Sequence, residues 1–366
     1  MSRVPAELSW SPDVPVLGDG VVTLRGHRSS DLGRIVEMAT DPEMIRWTRV
    51  PTPYGRGDAE QFALDDIPRG WDEGTGMGWA IDHGGRYVGN VDIRGAGAIV
   101  DIGFALHPDA RGLGVMQRSV RLAVDHAFGV GKRAVRWQAA VGNLPSLRVA
   151  HACGFTLDAV VRDGLEIGDA ICDAWVATLR PDDSPAPKTT WHASTFDTER
   201  FRLRPLAERD DERVRDTLDD PVSRKYLFER PVPLTVEHAA AERLRKWWTA
   251  ARGETCTWVV ADLATDTYLG DITLLDIDAV TGAEAGFYTH PDARGGGVLA
   301  EAFPAVVDHA FGVMGLRRLT MFAAMSNTGS KSLAQSAGFR EFGTQQLAAS
   351  SAGVFEDLIG FELLRD

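Results

Sequence analysis

The sequence predicts a mixed α/β protein that is built twice along one chain of 366 residues. Strand-like and helix-like hydrophobic patterns follow one another in each half, which indicates both element types in one domain. HPDARG occurs at 107–112 and at 290–295, and VDHAFGV occurs at 124–130 and at 307–313. Because both repeats keep an offset of 183 residues, we expect two complete domains rather than the units of a solenoid.

The two halves are separated by a polar, proline-rich segment at 181–187. This composition is typical of an extended linker. We therefore expect an N-terminal domain at 1–184 and a C-terminal domain at 185–366.

The elements of the first half can be predicted in order from hydrophobic spacing, capping residues and glycine turns. They are a strand at 21–25, a helix at 30–39, a helical region at 58–71, a hairpin of 79–82 and 87–93 turned at Gly84 and Gly85, a strand at 101–106, a helix from the next glycine loop to about 128, a strand at 135–140, a helix at 145–152, and two strands that end near 179. The second half repeats this order, with strands at 201–204, 258–261, 269–275 and 285–289 and helices at 236–250, 299–311 and 330–336.

Composition and charge exclude several classes of function. With 44% hydrophobic residues and no apolar run of membrane-spanning length, the chain is not expected to cross a bilayer. The formal net charge of −13 argues against nucleic acid as a partner. The start of the chain has no signal-peptide pattern, and three cysteines at positions 153, 172 and 256 are too few for a disulfide framework. We expect a cytoplasmic protein without a metal site.

A glycine-rich turn between a strand and a helix occurs in both halves, as RGLG at 111–114 and RGGG at 294–297. Backbone N–H groups can converge at such a helix start, where they bind phosphate oxygens. Neither copy has the Lys-Ser/Thr ending of a P-loop or the full pattern of a dinucleotide fold. The NTPase and dehydrogenase classes are therefore excluded, although plain turn chemistry remains an alternative for either copy.

The surroundings of these turns resemble the GCN5-related N-acetyltransferase (GNAT) family. In the first half, HPDA precedes the loop, Asn143 and Ser146 follow about thirty residues later, and ACGF stands at 152–155. In the second half the corresponding residues are Asn327, Ser330 and SAGF at 336–339. IGF at 102–104 before the loop and RD at 162–163 before the last strands are similar to RimJ/RimL-type members of the family. The resemblance implies a mostly antiparallel twisted sheet in each domain, with a V-shaped gap between two central parallel strands and helices on both faces.

The resemblance also implies that acetyl-CoA, or another acyl-CoA, lies in that gap with its pyrophosphate on the glycine loop. The loop amides, the strand ends, the loop arginines and the two asparagines would contact it. These candidates are Leu106, Arg111, Leu113, Gly114, Val115, Met116 and Asn143 in the first half, and Thr289, Arg294, Gly296, Gly297, Val298, Leu299 and Asn327 in the second. A solvated arginine is an equal alternative for Arg111 and Arg294.

The family chemistry is the direct attack of an amine on the thioester, which needs a base for the amine and an acid for the departing thiolate. Asp101 and Glu284 are the base candidates, with exposed strand carboxylates as the alternative. Ser146 and Ser330 are the acid candidates, although each could instead cap its helix. The resemblance thus implies an acetyl-CoA-dependent N-acetyltransferase of a primary amine, and the RimJ/RimL likeness favours a protein or peptide N-terminal amine as acceptor.

Two alternatives remain open at this point. The chain could acetylate a small-molecule amine with one half a degenerate scaffold, or it could sense acyl-CoA without catalysis. Because two fused domains can replace a dimer of single domains, we expect a monomer.

Overall fold

The computed structural model describes residues 14–191, 194–226, 233–351 and 354–365. The chain divides into two compact units, Met1–Lys188 and Thr189–Asp366. Each unit contains one sheet of eight strands. The prediction of a boundary near residue 185 stays a prediction.

The elements of the first unit alternate between strands and helices. Its strands are β1 (Leu17–Gly18), β2 (Thr23–Arg25), β3 (Gly76–His83), β4 (Arg86–Arg94), β5 (Ile99–Leu106), β6 (Ala134–Ala140), β7 (Thr156–Ile167) and β8 (Ala170–Leu179). Its helices are α1 (Leu32–Ala39), α2 (Pro42–Trp47), α3 (Arg56–Glu60), α4 (Ile67–Asp72), α5 (Val115–Gly129) and α6 (Leu144–Ala152), with a π-helical turn at Gln61–Asp66 that joins α3 to α4.

The second unit repeats this series. Its strands are β9 (Phe196–Asp197), β10 (Phe201–Arg204), β11 (Cys256–Asp262), β12 (Tyr268–Asp278), β13 (Gly282–Thr289), β14 (Arg318–Ala324), β15 (Arg340–Ser351) and β16 (Val354–Leu364). Its helices are α7 (Asp211–Asp219), α8 (Pro221–Lys225), α9 (Val236–Ala251), α10 (Val298–Gly312) and α11 (Thr328–Ser336).

The two sheets share one topology. The strand order is β1-β2-β3-β4-β5-β6-β8-β7 in the first unit, and the same positions recur as β9-β10-β11-β12-β13-β14-β16-β15 in the second. The central pair is parallel in each sheet, β5 with β6 and β13 with β14. The other paired strands are antiparallel over the residues that the structure describes. The predicted mixed α/β fold is confirmed.

The central parallel strands are paired over only part of their length. β5 and β6 are in register from Ile99 with Ala134 to Ile102 with Trp137, and β13 and β14 only at Ala283 and Glu284. Past these residues the strands separate. The separation is the V-shaped gap that the family resemblance implied, and it leaves the end of β5 unpaired on one edge.

Helices α5 and α10 hold the glycine loops at the ends of the central strands. The buried positions of α5 form a stripe at helical spacing, listed as Val115, Met116, Ser119, Val120, Ala123, Val124 and Ala127. In α10 the corresponding stripe includes Phe303, whose side chain is fully buried. Removing such a ring typically costs about 3–5 kcal/mol. This packing fixes each helix start, and therefore each loop, against its sheet.

Two element predictions differ from the structure near the N-terminus. The strand predicted from Val21 begins at Thr23, because the Asp19 carboxylate accepts hydrogen bonds from the amides of Val21 and Val22 (2.9 and 3.0 Å) and holds a turn there. Helix α2 was not predicted, since six residues are too few to show a hydrophobic period.

The segment at 181–187 is not an extended linker, which corrects the expectation from its composition. It packs on the first unit, where the Arg121 guanidinium donates to the Pro185 carbonyl (3.1 Å) and the Lys188 ammonium contacts the Asp183 carboxylate (2.7 Å). A Cβ atom added at Gly154 would lie 2.2 Å from the Ser184 carbonyl oxygen. The backbone of this segment therefore rests directly on the end of α6.

Candidate active site

The glycine loop of the first unit joins β5 to α5 through two residues in the left-handed region. Gly112 has φ 78° and Gly114 has φ 71°. A Cβ atom at either position would meet no heavy atom within 4 Å. Glycine is therefore required by the backbone conformation, and the space in front of the loop is open. Gly295 and Gly297 repeat these angles, at φ 75° each.

The first amides of α5 and α10 have no acceptor inside their own helix, so they are available to an anion. In the second unit the Gly296 amide already donates to the Ala293 carbonyl (3.3 Å). An anion would therefore meet the amides of Val298 and Leu299 rather than that of Gly296. The residues present fit a pyrophosphate in both units.

A histidine anchors the loop from its other side. His107 Nδ1 lies 2.7 Å from Asp109 Oδ1, and Nε2 lies 3.2 Å from Glu37 Oε2. Asp109 also accepts a hydrogen bond from the Arg34 guanidinium (2.9 Å). His290 makes the corresponding contact with Asp292. Both histidines thus position the loop.

The loop arginines are engaged in ion pairs. Arg111 Nη2 lies 2.6 Å from Asp41 Oδ2, and Arg294 Nη2 lies 2.5 Å from Asp220 Oδ2. Burial opposes ionisation of Asp41, but the bond from Arg111 holds its pKa below the ordinary value. Asp41 and Asp220 cap α2 and α8. Arg111 therefore ties its loop to α2, and Arg294 ties its loop to α8. A direct contact between either arginine and phosphate stays a prediction.

A cleft of about 580 Å³ opens at this loop in the first unit. Its walls come from α2, the end of β5, the loop with the start of α5, and α6. The lining residues are Glu43, Met44, Trp47, Thr48, Phe104, Ala105, Leu106, Arg111, Gly112, Gly114, Val115, Met116, Gln117, Asn143, Pro145, Ser146, Arg148, Val149 and Ala152. Most of the predicted cofactor residues of this half meet here. Leu113 and Asp101 are not among the described residues that line the cleft.

Sequence reasoning missed the α2 wall of the cleft. Glu43, Met44 and Trp47 lie on this helix, which begins at an Asp-Pro pair. Aspartate at the N-cap followed by proline is a start signal for a helix. The repeat of that pair at Asp220 and Pro221 was visible in the sequence and could have located the wall.

The start of α6 presents a serine to the cleft. Asn143 Oδ1 accepts a hydrogen bond from the Ser146 amide (3.2 Å), and Asn327 does the same for Ser330 (3.1 Å). The asparagines therefore cap these helices, which is contrary to the alternative that the serines do. The Ser146 hydroxyl accepts a hydrogen bond from the Trp137 indole (3.0 Å), and Ser146 lines the cleft.

The two base candidates have different surroundings. Asp101 is bound by Arg136 across the paired part of β5 and β6, with Oδ1 and Nε 3.1 Å apart. Glu284 faces Thr320 at the same position of the second sheet. Burial, and then the nearby Asp276 carboxylate, raises the pKa of Glu284. A raised pKa suits a proton acceptor, and the role of Glu284 as base stays a prediction.

A third carboxylate was missed by sequence reasoning. Asp92 on β4 lies opposite Gly103, the first residue of β5 past the paired segment. A Cβ atom at Gly103 would lie 3.1 Å from Asp92 Oδ1 and 2.6 Å from Arg94 Nη2. Burial raises the pKa of Asp92, and Arg94 partly opposes this shift. The polar positions 90, 92 and 94 were the only signal in the sequence.

Two further findings concern the described part of the chain as a whole. None of its helices has both the length and the apolar character needed to span a membrane. Within the same residues, no group of three or more His, Cys, Asp or Glu side chains is arranged to hold a metal ion.

Comparison with known proteins gives matches in both units. A family model described as acetyltransferase (GNAT) domain matches residues 22–156 and 200–340, more than half of the chain. A curated relative, the probable N-acetyltransferase YjcK of Bacillus subtilis, is 38% identical over 105 residues, which cover 27% of this chain and 58% of that protein. The match therefore spans less than two thirds of the relative's length.

Solved structures match with lower identity. The ribosomal-protein-S5-alanine acetyltransferase from Vibrio fischeri is 17% identical, with a TM-score of 0.44, and covers 47% of this chain and 97% of its own. Mycobacterium smegmatis RimJ in complex with CoA-disulfide is 20% identical, with a TM-score of 0.43, and covers 47% of this chain and 90% of its own.

Proposed function

The chain belongs to the GNAT acetyltransferase family, through two domains of that family in tandem, and from this premise we propose that it is an acetyl-CoA-dependent N-acetyltransferase of the cytoplasm. Each unit would bind acetyl-CoA, or another acyl-CoA, in the gap between its central strands. The acceptor would be a primary amine, and the RimJ/RimL-type sequence pattern favours the N-terminal amine of a protein or peptide.

One observation carries this proposal. In the first unit β5 and β6 separate past Ile102 and Trp137, and a glycine loop with an open face stands at the end of β5 beside a cleft of about 580 Å³. The amides at the start of α5 suit a pyrophosphate. The unpaired edge of β5 offers backbone N–H groups to an oxyanion. The second unit repeats the separation and the loop.

The proposed reaction is a direct transfer. The neutral amine attacks the thioester carbonyl carbon, a C–N bond forms, and the nitrogen releases a proton to a carboxylate. Asp92 and Asp101 are the candidates in the first unit and Glu284 in the second. The C–S bond then breaks, and the sulfur takes a proton from the hydroxyl of Ser146 or Ser330, which regains a proton from the protonated carboxylate through solvent. The products are an amide and free CoA.

A second candidate function is supported by one contact. The Arg136 guanidinium compensates the charge of Asp101, as would be expected if the first half had become a scaffold or an acyl-CoA sensor. The catalytic half would then be the second, and a small-molecule amine would be a suitable acceptor.

Calorimetric titration of acetyl-CoA into the whole chain tests the proposal before an acceptor is known. We expect about two sites per chain, and Gly114→Trp and Gly297→Trp should each remove one. A tryptophan strains the left-handed backbone at both positions; it also fills the open space at Gly114 and crowds Arg200 Nη2, 3.2 Å from the Cβ position, at Gly297. A single site would assign a scaffold role to the half whose variant changes nothing. No heat and no competition by CoA would refute the proposed function.

A further inference from the structure

We propose that the second unit acetylates primary amines carried on an apolar group of about the size of an aromatic ring. This inference rests on the proposed function, and it specifies which class of amine the second unit accepts. It comes from the face of the second sheet that is turned away from α10, here called the acceptor face.

The acceptor face is defined by the alternation of side chains along β13 and β14. Ala283, Ala285, Leu319 and Met321 lie in the core with α10. Since successive side chains point to opposite sides of a sheet, the residues between them, such as Glu284 and Phe322, lie on the other side. Glu284 is therefore on the acceptor face, at the residue where β13 and β14 separate.

The groups around Glu284 on this face are both apolar and polar, and besides burial the Asp276 carboxylate is near enough to raise its pKa. Leu275 is its direct cross-strand neighbour on β12, and Thr320 is its partner on β14. Phe322 follows two residues later, about 7 Å along the strand. Glu284 thus has a hydrocarbon neighbour on one side and an aromatic ring further along on the other. Burial contributes to its raised pKa.

Two phenylalanines extend this surface beyond the base. The rings of Phe322 and Phe342 are 6.0 Å apart and nearly perpendicular. They meet over Gly360, where an added Cβ atom would lie 2.7 Å from Phe342 and 3.1 Å from Phe322. Phe342 is 46% exposed, with the Arg318 guanidinium 5.4 Å from its ring centre. The result is a half-covered aromatic surface on the same face as Glu284, with the ion pair of Arg318 and Glu362 at its edge.

The first unit has charged and polar residues at the same register positions. Arg94 lies opposite Asp101 as Leu275 lies opposite Glu284. Arg136 is the partner of Asp101 on β6, where the second unit has Thr320.

The contrast holds at two further positions of the outer strands, whereas at a third the second unit has the charged residue, Glu362, where the first has Thr178. Gln138 stands in the first unit where the second has Phe322, and Asp158 stands in the strand irregularity where the second has Phe342. The two acceptor faces therefore differ in chemistry although their backbones correspond. A polar group placed against the two phenylalanines would lose its hydrogen bonds to water without replacement, whereas an apolar group would gain by burial.

An apolar primary amine could come from two sources, a peptide whose first residue is aromatic or a free arylalkylamine. The test uses the whole chain with Gly114→Trp, so that turnover reports the second unit. Acetyl transfer is measured with 2-phenylethylamine and with Phe-Ala-Ala, each against a polar counterpart, ethanolamine and Asp-Ala-Ala. We expect a preference of about tenfold or more in kcat/KM for the aromatic member of a pair. A preference within the pair of free amines indicates an arylalkylamine acceptor, and a preference within the pair of tripeptides indicates a peptide acceptor.

A second measurement uses variants in which a residue of the second unit is replaced by its counterpart from the first. Phe322→Gln and Leu275→Arg should raise KM for the aromatic amine about tenfold and change kcat less. Glu284→Gln should lower kcat about 100-fold or more for both members of a pair. Val313→Gln is the control, because Val313 is 70% exposed at the end of α10, away from the acceptor face.

Equal kcat/KM for the aromatic and polar amines in both pairs would overturn the inference, and so would unchanged KM values in Phe322→Gln and Leu275→Arg chains that still bind acetyl-CoA. These results leave the proposed function intact. The proposed function itself fails if the unmodified chain neither binds acetyl-CoA nor acetylates any amine.

Discussion

At the scale of single residues, the carboxylates near the strand separation differ in their position along the strands and in their arginine partners. Asp101 lies on the paired segment and is bound by Arg136. Asp92 is the cross-strand partner of Gly103, two residues further along β5 than Asp101 and therefore closer to the open gap. Asp92 is paired in turn with Arg94, whose Nε lies 3.0 Å from Oδ2, but burial raises the pKa of Asp92 in spite of this pair. A base has to reach the attacking nitrogen and has to accept its proton. The geometry of the first unit therefore favours Asp92 over the residue that the sequence suggested.

Asp92→Asn is expected to lower kcat of the first unit about 100-fold or more, and Asp101→Asn is expected to lower it less. The measurement is acetyl transfer by the chain with Gly297→Trp, so that only the first unit turns over. Because burial raises the pKa of Asp92, the rate should fall with decreasing pH above the ordinary range of aspartate, where the base becomes protonated. The Asp92→Asn chain should lack this acid limb.

The control is Asp169→Asn, an exposed carboxylate in the turn between β7 and β8. A larger loss in Asp101→Asn than in Asp92→Asn would return the role of base to Asp101.

His27 predicts a pH dependence of stability. It packs against the rings of Phe62 and Tyr87, with centroids 5.5 and 6.2 Å away, and neither ring nitrogen has a partner among the described residues. Burial lowers its pKa to about 4, against a partial opposing effect of Asp31. The unfolded chain binds the proton first, so stability is lost as pH falls from about 6.5 towards 4, by up to about 3 kcal/mol.

His27→Phe should remove this part of the acid sensitivity. Urea unfolding of both chains at neutral pH and near pH 4.5 is expected to show a smaller loss in the variant. His83→Gln, a half-buried histidine in the same unit, serves as the control. Equal losses in the His27→Phe and unmodified chains would show that His27 does not titrate in this way.

At the scale of elements, the caps and the docked segment decide how α2 and α6 are held. Asp41 caps α2 and pairs with Arg111 of the loop, so that one carboxylate fixes both a helix and the cleft wall. At the other end of the cleft, the segment at 181–187 packs on Gly154 at the end of α6. The walls of the cleft therefore depend on contacts between elements that are far apart in the sequence.

Gly154→Ala should destabilise the first unit by about 2 kcal/mol or more, because the new Cβ atom would collide with the Ser184 carbonyl at 2.2 Å in addition to the strain of φ 83°. The matched control is Gly168→Ala, at φ 56° with no heavy atom within 4 Å of its Cβ position. The control carries the backbone strain alone. Equal shifts in the urea midpoints of the two variants would mean that the docked segment adds nothing.

At the scale of the whole molecule, the chain is a duplication whose two copies keep one backbone plan. Each unit has its own sheet and buries its own aromatic residues, such as Trp79 in the first and Trp258 in the second. Domains with complete cores of this kind can fold alone. The acceptor faces have diverged, since Arg136 and Gln138 in one unit correspond to Thr320 and Phe322 in the other.

Fragments 1–188 and 189–366 should therefore each fold when produced separately, because the division follows the two compact units. Circular dichroism with thermal unfolding is expected to show a cooperative transition for each fragment. Acetyl-CoA titration of the fragments then reports each cleft alone. A fragment without a cooperative transition would contradict the independence of that unit.

The amino-acid sequence determined the duplication, the order of the long strands and helices, and the two glycine loops. These features depend on residues that are close along the chain, such as the periodic face of α5 and the positive φ angles at Gly112 and Gly114. They also carried the family resemblance. Local pattern and propensity are readable without knowing which strands become neighbours.

Only the tertiary structure decided which side chains meet at the cleft. Asp92 stands above Gly103 and Arg136 binds Asp101 through the register of neighbouring strands, and α2 forms a wall through the pair of Asp41 with Arg111. Register and packing depend on burial across the whole sheet, so residues far apart in sequence become neighbours without any local signal. For the same reason the polar, proline-rich segment at 181–187 packs against α6, where its composition alone indicated an extended linker.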